Sequence, residues 1–113
     1  MERLSTNMRL YSLYDHKAQT FTPPMLFEND DIAVREVVAI IQNSPTIPPA
    51  KYPGDFSLFC VGYWDVNEAL SALETGKYCV ENILTLLTSF ASQNKELAKH
   101  FEQFYVEKDE NNG

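Results

Sequence analysis

A chain of 113 residues, 44% hydrophobic and 22% charged, has the length of one domain and is too short for a barrel or dinucleotide-binding enzyme. Four glycines and six prolines exclude collagen-like and low-complexity classes, and the apolar content excludes a disordered chain. A formal charge of −7, spread over both halves, excludes a broadly basic nucleic-acid module, so any contact with a polyanion needs a local cationic patch or a stacking surface.

Residues 1–7 are polar and read as a loose extension without the apolar stretch of a secretory leader. Ordered patterning begins at Met8, which also fits a second translation start. Residues 9–15 (RLYSLYD) are rich in aromatic and aliphatic side chains and predict a strand. Asp15, His16 and Lys17 follow as a turn. Residues 20–27 (TFTPPMLF) predict a second strand, and Pro23 and Pro24 confine it to a sheet edge or break it.

The first helix is predicted over residues 30–44. Asn29, Asp30 and Asp31 supply cap acceptors and negative charge at the positive end of the helix dipole. Val34, Val37, Val38 and Ile41 then share one face at i, i+3, i+4 and i+7. Ser44 before Pro45 ends the helix. Residues 45–55 form a proline-rich loop, in which Tyr52-Pro53-Gly54-Asp55 fits a type II turn.

Residues 56–64 (FSLFCVGYW) are the strongest strand signal. Phe56, Leu58, Cys60 and Trp64 fall on one side, and Phe59, Val61 and Tyr63 on the other. Both sides are apolar, which predicts a central strand covered on both faces. Residues 65–81 are ambiguous between a helical turn and short strands around a break at Thr75-Gly76, and short strands are preferred. From residue 82 to 107 the pattern turns helical. Ile83, Leu87, Phe90, Asn94, Leu97, Phe101 and Phe104 are spaced like a coiled-coil stripe with one polar member. Residues 108–113 form a polar tail. The sequence shows no internal repeat.

The segment from Met8 to Asp65 resembles the small nonstructural protein of gokushovirus-type microviruses, phages with single-stranded DNA genomes. The likeness is carried by MRLYSLYD at the start, Lys17-Ala18, PPMLF at 23–27, the helix DIAVREVVAII at 31–41 and, most specifically, YPGDFSLFCVGYWD at 52–65. It covers about half the chain, weakens after Asp65 and includes no catalytic signature. The resemblance implies a nonstructural, DNA-associated protein of the host cytoplasm that serves viral single-strand synthesis or packaging by binding single-stranded DNA.

The residues themselves give little chemistry. His16, Cys60, Cys79 and His100 are scattered, with neither a CxxC nor an HxxxH spacing, so no metal site is expected. Cys60 lies in an apolar strand, where a thiol is inert, and both cysteines read as reduced, packed thiols. Asp30 and Asp31 cap a helix rather than form a catalytic dyad, and Thr75-Gly76-Lys77 is a polar turn rather than a phosphate loop. The expectation is therefore no enzyme, no cofactor, no small-molecule substrate and no membrane span, since the apolar stretch 32–41 is short and contains Arg35 and Glu36.

Single-strand binding requires rings for base stacking, at about 1–3 kcal/mol per base, and cations along the backbone. The rings available are Tyr11, Tyr14, Phe21, Phe56, Phe59, Tyr63 and Trp64, and the cations are Arg9, Lys17, Lys51 and Arg35. The expected site is Arg9, Tyr11, Tyr14, Lys17, Lys51, Tyr63 and Trp64, with the tyrosines favoured for exposure because a phenol tolerates water. Three phosphate contacts give a log–log salt slope of only about −2. The competing reading is that these rings are core.

The C-terminal stripe likewise has two readings. It folds back over the sheet, or it pairs copies of the chain through Ile83, Leu87, Phe90, Asn94, Leu97 and Phe101, making a homo-oligomer. The expected architecture is α+β, a small antiparallel sheet with one packed helix in the order strand-strand-helix-strand-strand over residues 8–81, followed by a long C-terminal helix. The functional alternative to DNA association is an oligomeric scaffold or host-interaction protein.

Overall fold

A computed structural model describes residues 7–91. Residues 1–6 of the expected extension 1–7, the stripe positions Asn94, Leu97, Phe101 and Phe104, and the tail 108–113 lie outside the described residues, while Asn7 already belongs to the first strand. The architecture is α+β, with a six-stranded antiparallel sheet and its helices. Two long strands, β1 (Asn7–Asp15) and β4 (Phe56–Asp65), pair along their whole length at the centre. Each outer edge of this pair is made of two short strands. β2 (Thr20–Phe21) and β3 (Met25–Phe27) flank β1, separated by Pro23 and Pro24 as proline's missing donor requires. β5 (Ala69–Ser71) and β6 (Tyr78–Asn82) flank β4.

Helix α1 (Asp30–Asn43) begins at the cap Asn29, whose side chain accepts from the Ile32 amide at 2.9 Å. It buries Ala33, Val37, Val38 and Ile41, while Val34 is half-buried at the margin of that stripe. The proline-rich loop is more structured than its composition indicates. It holds the short helix α2 (Pro48–Lys51) and a 3-10 turn at Pro53–Asp55. The type II turn expected at Tyr52-Pro53-Gly54-Asp55 is absent, because Gly54 does not take the positive φ that such a turn demands. The Asp55 amide still bonds back to the Tyr52 carbonyl, at 3.0 Å.

Helix α3 (Ile83–Ala91) follows β6 directly and is started by Asn82, whose side-chain oxygen accepts from the Leu84 amide at 2.9 Å. These nine residues are all that the described chain contains of the long helix expected over 82–107. They fold back on the sheet. Ile83, Leu86 and Leu87 share one core with Tyr11, Leu58, Cys60 and the buried side of α1. The expected assignment of Ile83 and Leu87 to an intermolecular seam is therefore corrected: both are fully buried in the chain's own core, and Phe90 is half-buried against it. A boundary between residues 81 and 82 would cut through this core.

The fold repeats itself although the sequence does not. β1-β2-β3-α1 and β4-β5-β6-α3 have the same order and the same pairing, the first short strand against the end of the long strand and the second against its beginning. Both long strands end in an aspartate. Asp15 accepts from the amides of Lys17 and Ala18, and Asp65 from those of Asn67 and Glu68. Both turns close on a residue in the left-handed region, Gln19 at φ 60° and Ala69 at φ 67°. Both helices begin after Glu-Asn, at Asn29 and Asn82. The arrangement is an approximate two-fold about an axis through the sheet between β1 and β4.

One irregularity decides which side chains face where. Tyr11 pairs with Cys60 but Leu10 pairs with Gly62, so Val61 is an extra residue in β4. The bulge reverses the alternation beyond it. Trp64 thus lies on the face opposite Cys60, whereas unbroken alternation had placed the two together. Gly62 sits where a Cβ would come within 2.8 Å of the Ser71 carbonyl oxygen of β5. Gly62→Ala is accordingly expected to lower stability by about 1–3 kcal/mol through forced backbone movement, measured as a drop in the urea midpoint at unchanged m-value.

Candidate nucleic-acid interface on the open sheet face

Cross-strand partners share a face, so the pairing register sorts the sheet into two sides. The helical side carries Tyr11, Leu13, Phe56, Leu58 and Cys60, covered by α1 and α3. The other side carries Met8, Ser12, Tyr14, Phe21, Leu26, Phe59, Trp64, Leu70 and Cys79. No described helix covers it. Among the described residues, then, helices cover β4 on one face only and not on both as expected. Phe21 is 41%, Trp64 36% and Leu70 64% exposed.

At one end of this face the rings form a cluster. Tyr14 lies 4.7 Å from Phe21 and 5.9 Å from Phe59, and Phe21 lies 5.5 Å from Phe59, centroid to centroid. His16 stands edge-on to Tyr14 at 5.0 Å, fixed by a 2.8 Å hydrogen bond between its Nε2 and the Ser57 hydroxyl. Lys17 is exposed in the adjoining turn. At the other end Trp64 faces Leu70 across the β4–β5 pairing. None of the side chains that the register places on this face is a carboxylate, in a chain of net charge −7. Asp15 and Asp65 border it, but each spends its carboxylate on the amides of its own turn.

The expected site residues are divided by the fold. Tyr14 and Trp64 stand on the open face with Lys17 beside it. Phe21 and Phe59, available rings that the preference for phenols had passed over, join them. Tyr11 is removed from the site: it is fully buried, and its hydroxyl donates to Asp30 at 2.5 Å. Lys51 is on α2, whose Ala50 belongs to the covered core, so it lies away from the open face. Arg9 and Tyr63 pair with each other and fall on the helical side, at the rim of a cleft of about 420 Å³ lined also by Leu73, Glu74 and Tyr78.

Arg9 belongs to a polar network instead. Its guanidinium donates to the Tyr78 hydroxyl at 3.1 Å, and Tyr78 donates to the Asp30 carboxylate at 3.0 Å. Asp30 also receives the buried Tyr11 hydroxyl, so the start of α1 is tied to β1 and β6 at once. Burial, reinforced by the hydrogen bond to Asp30, pushes the Tyr11 phenol well above the ordinary tyrosine range. Burial, with hydrogen bonding to Cys60 and Asp30, pushes Tyr78 up to about 12.

Both phenols hold their protons more tightly folded than unfolded, where the value is about 10. Their contribution to stability is then complete below about pH 10 and is lost as pH rises through the folded values. The free energy of unfolding should fall above pH 10, and Tyr11→Phe should flatten that fall, as read from urea titrations at a series of pH values.

Cys60 and Cys79 are both free and point to opposite faces, Cys60 buried and Cys79 exposed opposite Phe59. Among the described residues no cluster of His, Cys, Asp and Glu is placed to hold a metal ion. No described helix is long and apolar enough to cross a membrane.

Residues 8–86 match the family model described as Phage ORF5 protein. The chain belongs to the Phage ORF5 protein family. The match begins where β1 takes up its pattern and ends inside α3, so it takes in both topological halves and the start of the helix that closes the core. It identifies this Phage ORF5 family member as a phage protein. No curated protein and no solved structure matches the chain significantly.

Proposed function

We propose that this Phage ORF5 family member is a nonstructural protein of a gokushovirus-type microvirus that associates with viral single-stranded DNA during synthesis or packaging in the host cytoplasm. The observation that carries the reading is the sheet face that no described helix covers, with Tyr14, Phe21, Phe59 and Trp64 on it. Stacking on such rings is tolerant of sequence and does not require many cations. A face free of carboxylates lets a polyanion approach a chain that is acidic elsewhere.

Fluorescence anisotropy of a labelled oligothymidylate at low salt tests this. Binding is expected in the micromolar range with a log–log salt slope no steeper than about −2. Phe21→Ala should weaken it by about 10-fold, the equivalent of one stacking contact of about 1–3 kcal/mol. A strand that tumbles freely at every protein concentration would refute the reading.

The second reading, an oligomeric scaffold, draws on the same face, because exposed Leu26 and Leu70 beside aromatic rings and a depletion of charge also describe a protein interface. Light scattering separates the two. A dimer that dissociates on Leu70→Glu and ignores DNA would favour the scaffold.

A further inference from the structure

The open face has two aromatic ends, and the internal two-fold relates them. Tyr14 immediately precedes Asp15, and Trp64 immediately precedes Asp65, each at the equivalent place in its half. Tyr14 pairs with Phe21 on β2, and Trp64 pairs with Leu70 on β5. Because β1 and β4 are antiparallel, the two-fold sends these positions to opposite ends of the face. Trp64 lies opposite Met8, six residues along β1 from Tyr14, which is about 20 Å at about 3.3 Å per residue. Phe59, opposite Ser12, stands on the Tyr14 side of this interval, four residues along β1 from the level of Trp64; Leu10 and Gly62 fill the rest, with neither a charge nor a ring.

From this geometry we infer that the face is a bipartite site for single-stranded nucleic acid, with one stacking station at Tyr14, Phe21 and Phe59 and a second at Trp64. The inference rests on the single-strand reading of the same face and adds its length requirement. A strand must span about 13 Å from Phe59, or about 20 Å from Tyr14, to reach Trp64, which is about four to six nucleotides at the ~3.4 Å spacing of a stacked strand and fewer when it is stretched. A shorter strand occupies one station at a time. Once the first station is filled, the second is engaged at high effective concentration.

The test compares oligothymidylates of about three and about eight nucleotides, a span chosen around the smallest single-strand sites, with the full chain by anisotropy. The longer strand is expected to bind about 30-fold more tightly, well beyond the several-fold that its extra registers supply. Trp64→Ala and Phe21→Ala should each reduce the gain to that several-fold level, and Trp64→Phe, which keeps a ring, should restore most of it. Both replaced side chains are exposed, and thermal melts verify that the variants are folded. A gain of 30-fold that survives in either alanine variant overturns the two-station site, as does a wild-type gain no larger than the register effect. In both cases DNA binding itself stands. Absence of binding at either length overturns the single-strand reading and the bipartite site together.

Discussion

Leu87→Ala is expected to lower the stability of the chain by about 2–5 kcal/mol, with an unfolding midpoint that does not change with protein concentration. Leu87 is fully buried in the same core as Ile83, Leu58 and Val37. Truncation there removes transfer free energy and leaves a cavity walled by a sheet on one side and α1 on the other, neither of which can close in far. A domain of this size has about 5–15 kcal/mol in total, so the variant forfeits a large share. An intermolecular seam at Leu87 would behave differently: the loss would appear as dissociation and the midpoint would rise with concentration. Urea titrations at two protein concentrations distinguish these outcomes.

Asp30→Ala should be nearly as damaging, at about 2–4 kcal/mol. The carboxylate accepts from Tyr11 and Tyr78 together. Removing it strands the Tyr11 hydroxyl in the core, where an unsatisfied polar group costs about 1–3 kcal/mol, and it deletes a second charge-assisted bond at Tyr78. Asp30→Asn keeps an acceptor oxygen and should recover at least half of the loss. A loss below about 1 kcal/mol for the alanine variant, by the same urea titration, would show that the phenols find other partners and that the network does not fasten α1 to the sheet.

The elements that sequence pattern reveals are those whose periodicity is local. β1, the broken β2–β3 edge, α1 and β4 follow from alternation, from Pro23-Pro24 and from a capped apolar stripe, and the Asp15 turn from its own residues. Three features were not legible. The bulge at Val61 leaves no mark in the residue types, yet it moves Trp64 to the other face. The burial of Tyr11 depends on Asp30, nineteen residues away; the aspartate's place at a helix start already explained it without that partner. The C-terminal stripe was ambiguous in principle, because apolar residues at helical spacing suit the chain's own sheet as well as another copy, and Ile83 and Leu87 found the sheet first.

The internal repeat was hidden for a related reason. It survives in turn and cap chemistry, Asp15 with Asp65 and Asn29 with Asn82, while the apolar residues between have diverged. Those polar landmarks carry the backbone geometry, and the core tolerates exchange of hydrophobic side chains provided that volume and pattern are kept. Of the residues that the sequence named for the candidate interface, the fold places Tyr14 and Trp64 on the open face and Lys17 beside it. Phe21 and Phe59 were among the available rings but were not singled out, because only the register brings them beside Tyr14.

The claim that most depends on this arrangement is that bases reach the rings of the open face. Trp64 is the only tryptophan in the chain and lies on that face, so its emission reports contact directly. Addition of oligothymidylate at low salt is predicted to quench Trp64 fluorescence along a saturable curve, with its midpoint in the micromolar range. Emission that stays unchanged through excess strand would contradict the account.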